Sequence, residues 1–208
     1  MKVLTFFTVR GGSGKTVLSL MKEGDAECDR DGLYIVEKVE NTDSDSLDEF
    51  AASIRRIKEQ FDYIILNFPG SFSKDDAICH LATTGVIDMV VIPVELDAIS
   101  ICSAKTLSQI FEETGLKTLP FFNRVHGKED PALYGRLREW FERHGVRVSE
   151  AMVKNSIAMK REMGAKGFLR STVCFPEKEI RAKNPGIINL FEEIVRYEER
   201  GVQKAEDS

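Results

Sequence analysis

The chain has few of the residues that staple, ligate or span. Its four cysteines, Cys28, Cys79, Cys102 and Cys174, form no Cys-x-x-Cys pair. That argues against a zinc ribbon or a disulfide framework and suits buried or half-buried thiols in a reducing compartment. The three histidines, His80, His126 and His144, show no metal-ligand spacing, so surface or cap roles are expected of them. No apolar run approaches the ~20 residues that cross a bilayer. The opening carries one lysine, a strand-like run and then glycines, which is not the layout of a secretory leader, and a cytoplasmic location is expected. Internal repeats and low-complexity blocks are absent. No nucleophile–base–acid arrangement can be argued from residue order, and the adjacent carboxylates Asp75 and Asp76 read as a solvated turn.

What is present describes an ordinary globular protein: 208 residues, 42% hydrophobic and 30% charged, with a net charge of −5. The charge is unevenly placed. Residues 1–114 hold 11 basic and 20 acidic side chains, whereas residues 115–208 hold 18 and 14. The stretch 143–183 alone has ten basic against four acidic, a candidate surface for nucleic acid or another polyanion, with a mixed-charge solvated face as the alternative.

Near-continuous apolar runs at 2–9, 33–39, 63–68, 88–94 and 118–123 predict strands covered on both faces, as in a parallel sheet. Helical patterns lie between them, at 46–61, 104–115, 130–145 and 184–200. Ser46 and Glu49 have capping-box spacing at the first, and Gly115 and Gly145 are plausible stops for the second and third. The expected architecture is α/β, a single doubly wound, mainly parallel sheet with helices on both faces, forming one domain over 1–200 with a flexible tail at 201–208. The acidic piece 22–32 reads as a loop.

Residues 8–16 read TVRGGSGKT. Gly14-Lys15-Thr16 matches the close of a P-loop, but Val9 stands where that pattern opens on glycine, and Gly11-Gly12 replaces it. Glycines let successive N–H groups turn inward onto phosphate oxygens. A helix starting at Lys15 would add its N-terminal dipole. Lys15 suits the β- and γ-phosphates and the Thr16 hydroxyl suits Mg²⁺. Gly11, Gly12, Ser13, Gly14, Lys15, Thr16 and Val17 are therefore the expected phosphate cradle, with a Gly-rich surface turn as the plainer alternative. The guanine-reading Asn-Lys-x-Asp motif is missing, which favours ATP.

A basic residue followed by Gly-Gly-x-Gly-Lys-Thr close to the first residue resembles the deviant Walker A motif of the ParA/MinD class of P-loop ATPases. The resemblance implies that Arg10 stands where the class has a signature lysine that crosses a dimer interface to the partner's ATP. Arginine keeps the charge and adds a planar fork for phosphate oxygens. FDYIILNFPGS (61–71) resembles the class's Walker B strand, with Asn67 in place of the aspartate that normally holds Mg²⁺ through water. A neutral carbonyl there implies weaker metal binding and slower hydrolysis. MVVIPVELDAISICSAKTL (89–107) resembles the next strand and helix, and Asp97 within it reads as a cap or a phosphate-side residue. PFFNRVHG (120–127) resembles the strand whose terminal Asn-Arg or Asn-Met pair contacts adenine, which nominates Asn123. VKNSIAMKREM (153–163) falls where the class has an adenine-side loop, without its usual proline. Residues 169–194 resemble the C-terminal part of ParA relatives encoded by conjugative elements of Bacteroidetes. One departure stands out. The class has a second strand ending in an aspartate-rich turn that orients the attacking water, yet only 44 residues separate Thr16 from Phe61.

The resemblance implies a switch that binds and slowly hydrolyses ATP with Mg²⁺, with Arg10 and Lys15 in catalytic roles and Thr16 and Asn67 at the metal. It implies an ATP-dependent homodimer, a stimulating partner protein and non-specific DNA contact through 143–183, in partition or conjugative transfer of a mobile element. A degenerate nucleotide-binding module with little or no hydrolysis is the alternative, resting on Asn67 and the missing aspartate. A small-molecule kinase or ligase on the same scaffold would need an acceptor motif, and none is visible.

Overall fold

The computed structural model describes residues 2–7, 33–36, 44–61, 63–68, 77–127, 131–155, 182 and 184–206. Six strands form one sheet: β1 (Lys2–Phe6), β2 (Leu33–Val36), β3 (Tyr63–Asn67), β4 (Met89–Val94), β5 (Lys117–Val125) and β6 (Met152–Lys154). Their order is β2-β3-β1-β4-β5-β6 and every neighbouring pair is parallel. The helices are α1 (Ser44–Ile57), followed by a 3-10 turn at Lys58–Gln60, then α2 (Ala77–Thr83), α3 (Ala98–Glu113), α4 (Pro131–Arg143) and α5 (Pro185–Glu206).

The parallel sheet follows from how the strands are clothed. Along β1, Val3 and Phe7 join a core with α1, α2, α3 and α4, whereas Leu4 and Phe6 join a second core with α5. Alternation is thus present, but both faces are apolar, so the sequence shows a continuous run. Thr5, fully buried on the first face, donates its hydroxyl to the Leu66 carbonyl at 2.8 Å and so leaves no unpaired donor. At the sheet's amino end, Val3 N–H donates to the Asp88 carboxylate at 2.7 Å, and Lys58 pairs with the same group at 3.0 Å.

Several boundaries differ from the sequence expectations. Helix α1 starts at Ser44, so Ser46 lies within its first turn and is not its cap; Asp45 in that turn suits the positive end of the helix. Helix α3 starts six residues before Ala104, because Asp97 caps it. Helix α2 and strand β6 had no counterpart in the sequence pattern, and α5 continues through Glu206, past the expected end at 200. Helices α3 and α4 do end as their glycines suggest. Gly115 and Gly145 have φ of 79° and 76°. In each case the following residue, Leu116 or Val146, donates back to a phenylalanine carbonyl, Phe111 or Phe141, at 3.0 Å.

Candidate functional site

In a doubly wound sheet, ligands bind at the carboxyl ends of the strands, where successive connections depart to opposite sides. Here that switch point is the gap between β1 and β4: the chain leaves β1 toward β2 on one side and leaves β4 toward β5 on the other. In sequence the segment RGGSGKT begins three residues after Phe7, at the end of the strand that borders the switch point.

That strand end is firmly held. Phe7 N–H donates to the Val91 carbonyl at 3.0 Å, which extends the pairing of β1 with β4 by one residue. Its ring is 1% exposed and meets Phe68 and Phe111 edge-on, at centroid distances of 6.4 and 6.1 Å. A segment whose amides must converge on an anion gains from an immobile start. Phe7, Phe68 and Phe111 supply one, and an aromatic at the end of a strand was the sequence signal for it.

Arg10, Gly11, Gly12, Ser13, Gly14, Lys15, Thr16 and Val17 lie outside the described residues. The backbone of Asn67 closes β3 directly opposite Phe6, one strand from the end of β1. Asn123 lies in β5, two strands from β1 on the other side, which places it roughly 10 Å away at standard strand spacing. It is buried, at 7% exposure, and pairs in register with Val153 of β6. The sheet therefore brings Asn67, the end of β1 and Asn123 to one edge. Residues 22–32 and 156–163 also lie outside the described residues. A strand does flank β3, namely β2, paired from Leu33↔Tyr63 to Val36↔Leu66. The residues that follow it, 37–43, are outside the described set.

The same edge carries further polar residues, of which the sequence singled out Asp97 but not Ser100, Glu95 or the role of Arg124. Asp97 accepts from Ser100 N–H at 2.9 Å, the capping role weighed for it. The Ser100 hydroxyl in turn accepts from Glu95 N–H at 2.8 Å. Glu95 Oε1 receives Arg124 Nη1 at 2.9 Å. Arg124 sits at a bulge, where the β5–β6 register slips between Asn123 and Val125, and it has φ of 56°. A left-handed non-glycine residue costs about 1–3 kcal/mol, and bulges of this kind cluster beside active sites. The available signal was an acid two residues after Pro93 together with the basic member of Asn123-Arg124.

The histidines have structural partners: His80 pairs with Asp48 at 2.8 Å, His144 Nδ1 meets the Trp140 carbonyl at 2.7 Å, and His126 meets Asn155 at 3.4 Å. Among the described residues, no group of three or more His, Cys, Asp or Glu is arranged to hold a metal. Among them too, no helix is long and apolar enough to cross a membrane. The depression lined by Glu139, Glu142 and Arg143 lies at the end of α4 remote from its start beside the strand carboxyl ends, and it takes no part in this edge.

Six parallel strands in this order, with helices on both faces, make a doubly wound α/β fold, and solved ParA/MinD-type ATPases share it. The chain is similar to the MinD cell division protein of Aquifex aeolicus, with a TM-score of 0.68 at 12% identity over 94% of this chain and 97% of that one. It is also similar to a putative plasmid partition protein from Borrelia burgdorferi B31 bound to AMPPNP, with a TM-score of 0.57 at 12% identity over 92% and 98%. A third likeness is to the ATP complex of a Cyanothece McdA variant, with a TM-score of 0.54 at 16% identity over 81% and 91%. No family model matches the chain, and no curated protein matches it.

Proposed function

We propose that the chain is a nucleotide-dependent switch of the partition type, binding ATP with Mg²⁺ and dimerising when loaded. One observation carries this reading: in sequence the segment RGGSGKT follows the central strand β1, which borders the switch point of a sheet whose fold is shared with the MinD cell division protein of Aquifex aeolicus. Gly11 to Val17 would cradle the triphosphate, Lys15 would meet its β- and γ-oxygens, and Thr16 and Asn67 would face the metal. Arg10 would reach the partner's nucleotide, and Asn123 would meet the base. Mg²⁺, when bound, screens the triphosphate charge; the chain's own task is to position and enclose it.

The dimer would contact DNA through the basic stretch 143–183 without reading sequence, a phosphate-directed attachment that weakens steeply with salt. The resemblance to the ParA/MinD class supports a role for such a switch in partition or conjugative transfer of a mobile element. Sedimentation of the full chain with and without ATP is the test. Loaded wild type is expected to dimerise, and Lys15→Ala and Arg10→Ala to stay monomeric; normal dimers of both variants would end the proposal.

A second reading has its own support in Asn67, which puts an amide where the class has a carboxylate. In it, occupancy alone sets the conformation and hydrolysis is slight. Steady phosphate release comparable with other slow ATPases would exclude it.

A further inference from the structure

Between the carboxyl ends of β4 and β5, one unbroken chain of polar contacts runs from Asp97 through Ser100 and Glu95 to Arg124. Its last member is the residue that departs from ordinary backbone geometry. An arginine that only needed solvent could stay extended and keep β5 in register with β6. Instead Arg124 takes φ of 56°, the register slips around it, and its guanidinium turns to the loop after β4. The pair is half-buried, with side-chain exposures of 33% for Arg124 and 23% for Glu95. Strain of this kind persists only where the surroundings over-determine it.

We propose that Arg124 and Glu95 form a positioning pair. It locks the end of β5 that carries Asn123 to the loop between β4 and α3, so that the base side and the switch-point side of the site meet a nucleotide as one rigid unit. The proposal rests on the nucleotide-binding reading above. Neither side chain need touch the ligand. They act by fixing Asn123 and the 95–97 loop relative to each other, which removes an ordering cost from binding.

The test is a double-mutant cycle on the full chain: Glu95→Ala, Arg124→Gly and both together, titrated with ATP and Mg²⁺ by calorimetry, with the thermal midpoint of each measured without nucleotide. Each single variant is expected to bind about tenfold more weakly, and the double variant no more weakly than the worse single, because both remove one interaction. Glycine accepts the left-handed backbone freely, so the Arg124→Gly midpoint is expected within about 2 °C of wild type. Arg124→Lys keeps the charge and is expected to recover most of the affinity. If wild type binds and the singles stay within twofold, or if the double variant multiplies the two losses, the proposal fails. A midpoint that falls in step with affinity would mark a merely stabilising contact and also overturn it. Absence of binding by wild type would sink the nucleotide reading itself, a result distinct from these.

Discussion

Asp97 shows how one side chain fixes a local boundary that decides where the candidate site's loop ends. It has extended backbone angles, φ −141° and ψ 154°, and its carboxylate takes the Ser100 amide that the first turn of α3 would otherwise leave unpaired. The neighbouring Ile99 is 68% exposed and Leu96 is 36% exposed, so little apolar packing holds this turn in place. The cap therefore carries much of the local order. Asp97→Ala is expected to lower stability by about 1 kcal/mol, whereas Asp97→Asn, which keeps an acceptor, is expected to remain close to wild type. Urea unfolding of the two variants against wild type measures the difference. Equal losses in both would mean that the charge on the helix dipole, and not the hydrogen bond, is what matters.

At the scale of elements, α5 is the described helix that closes the second face of the sheet. Ile187, Leu190, Phe191 and Ile194 cover Leu4, Phe6, Val91 and Phe121, and Phe191 meets Phe6 edge-on at 6.1 Å. The helix is pinned at both ends of this contact. Asn184 accepts from Lys154 N–H at 3.0 Å and donates to the Lys154 carbonyl at 2.8 Å, so its amide pairs with β6 as a strand would. Further along the helix, Glu193 accepts from the Ser149 hydroxyl at 2.6 Å and from Glu150 N–H at 3.0 Å. Between these pins Gly186 passes so close to β6 that a Cβ there would overlap the Met152 carbonyl oxygen. Helix propensity alone favours Gly186→Ala by up to about 1 kcal/mol. The obstruction is backbone, which cannot swing aside, so steric cost decides the sign. The variant is expected to lose about 1–3 kcal/mol, visible as a lower midpoint in thermal unfolding; a gain in stability would show that α5 can lift from β6 without penalty.

The same elements show what could be read from the chain. Strands clothed on both faces announce themselves as apolar runs, which is why the interior of the sheet was legible at 63–68 and 88–94. Helix α2 has seven residues and β6 has three, too few for any period to emerge. The start of α3 was hidden because Ile99 is apolar yet exposed, which breaks the stripe on which the helix pattern depends. Asn123 could be nominated from a resemblance, but the bulge at Arg124 could not. Its backbone angle goes with the slip against β6 and the reach to Glu95, both distant in sequence, not with any local preference of arginine.

For the whole molecule, stability gives a direct reading of the anchored edge and the Gly-rich segment acting together as a ligand site. A ligand that binds only the folded chain stabilises it by about 2.7 kcal/mol at a hundred times its dissociation constant. For a chain of 208 residues, each kcal/mol moves the thermal midpoint by about 2–4 °C. Saturating ATP with Mg²⁺ is therefore expected to raise the midpoint of the wild-type protein by roughly 5–11 °C. Lys15→Ala, which leaves β1 and its anchor Phe7 intact, is expected to unfold at the wild-type temperature without nucleotide and to lose most of that increase. If both proteins shifted equally, the nucleotide would be binding away from the segment that follows β1 in sequence. If neither shifted, the carboxyl edge would not be a nucleotide site at all. The sheet would then share a fold with the solved structures it resembles while lacking the chemistry proposed for it, because a fold fixes where a loop departs and only the loop's own amides and cations can hold a triphosphate.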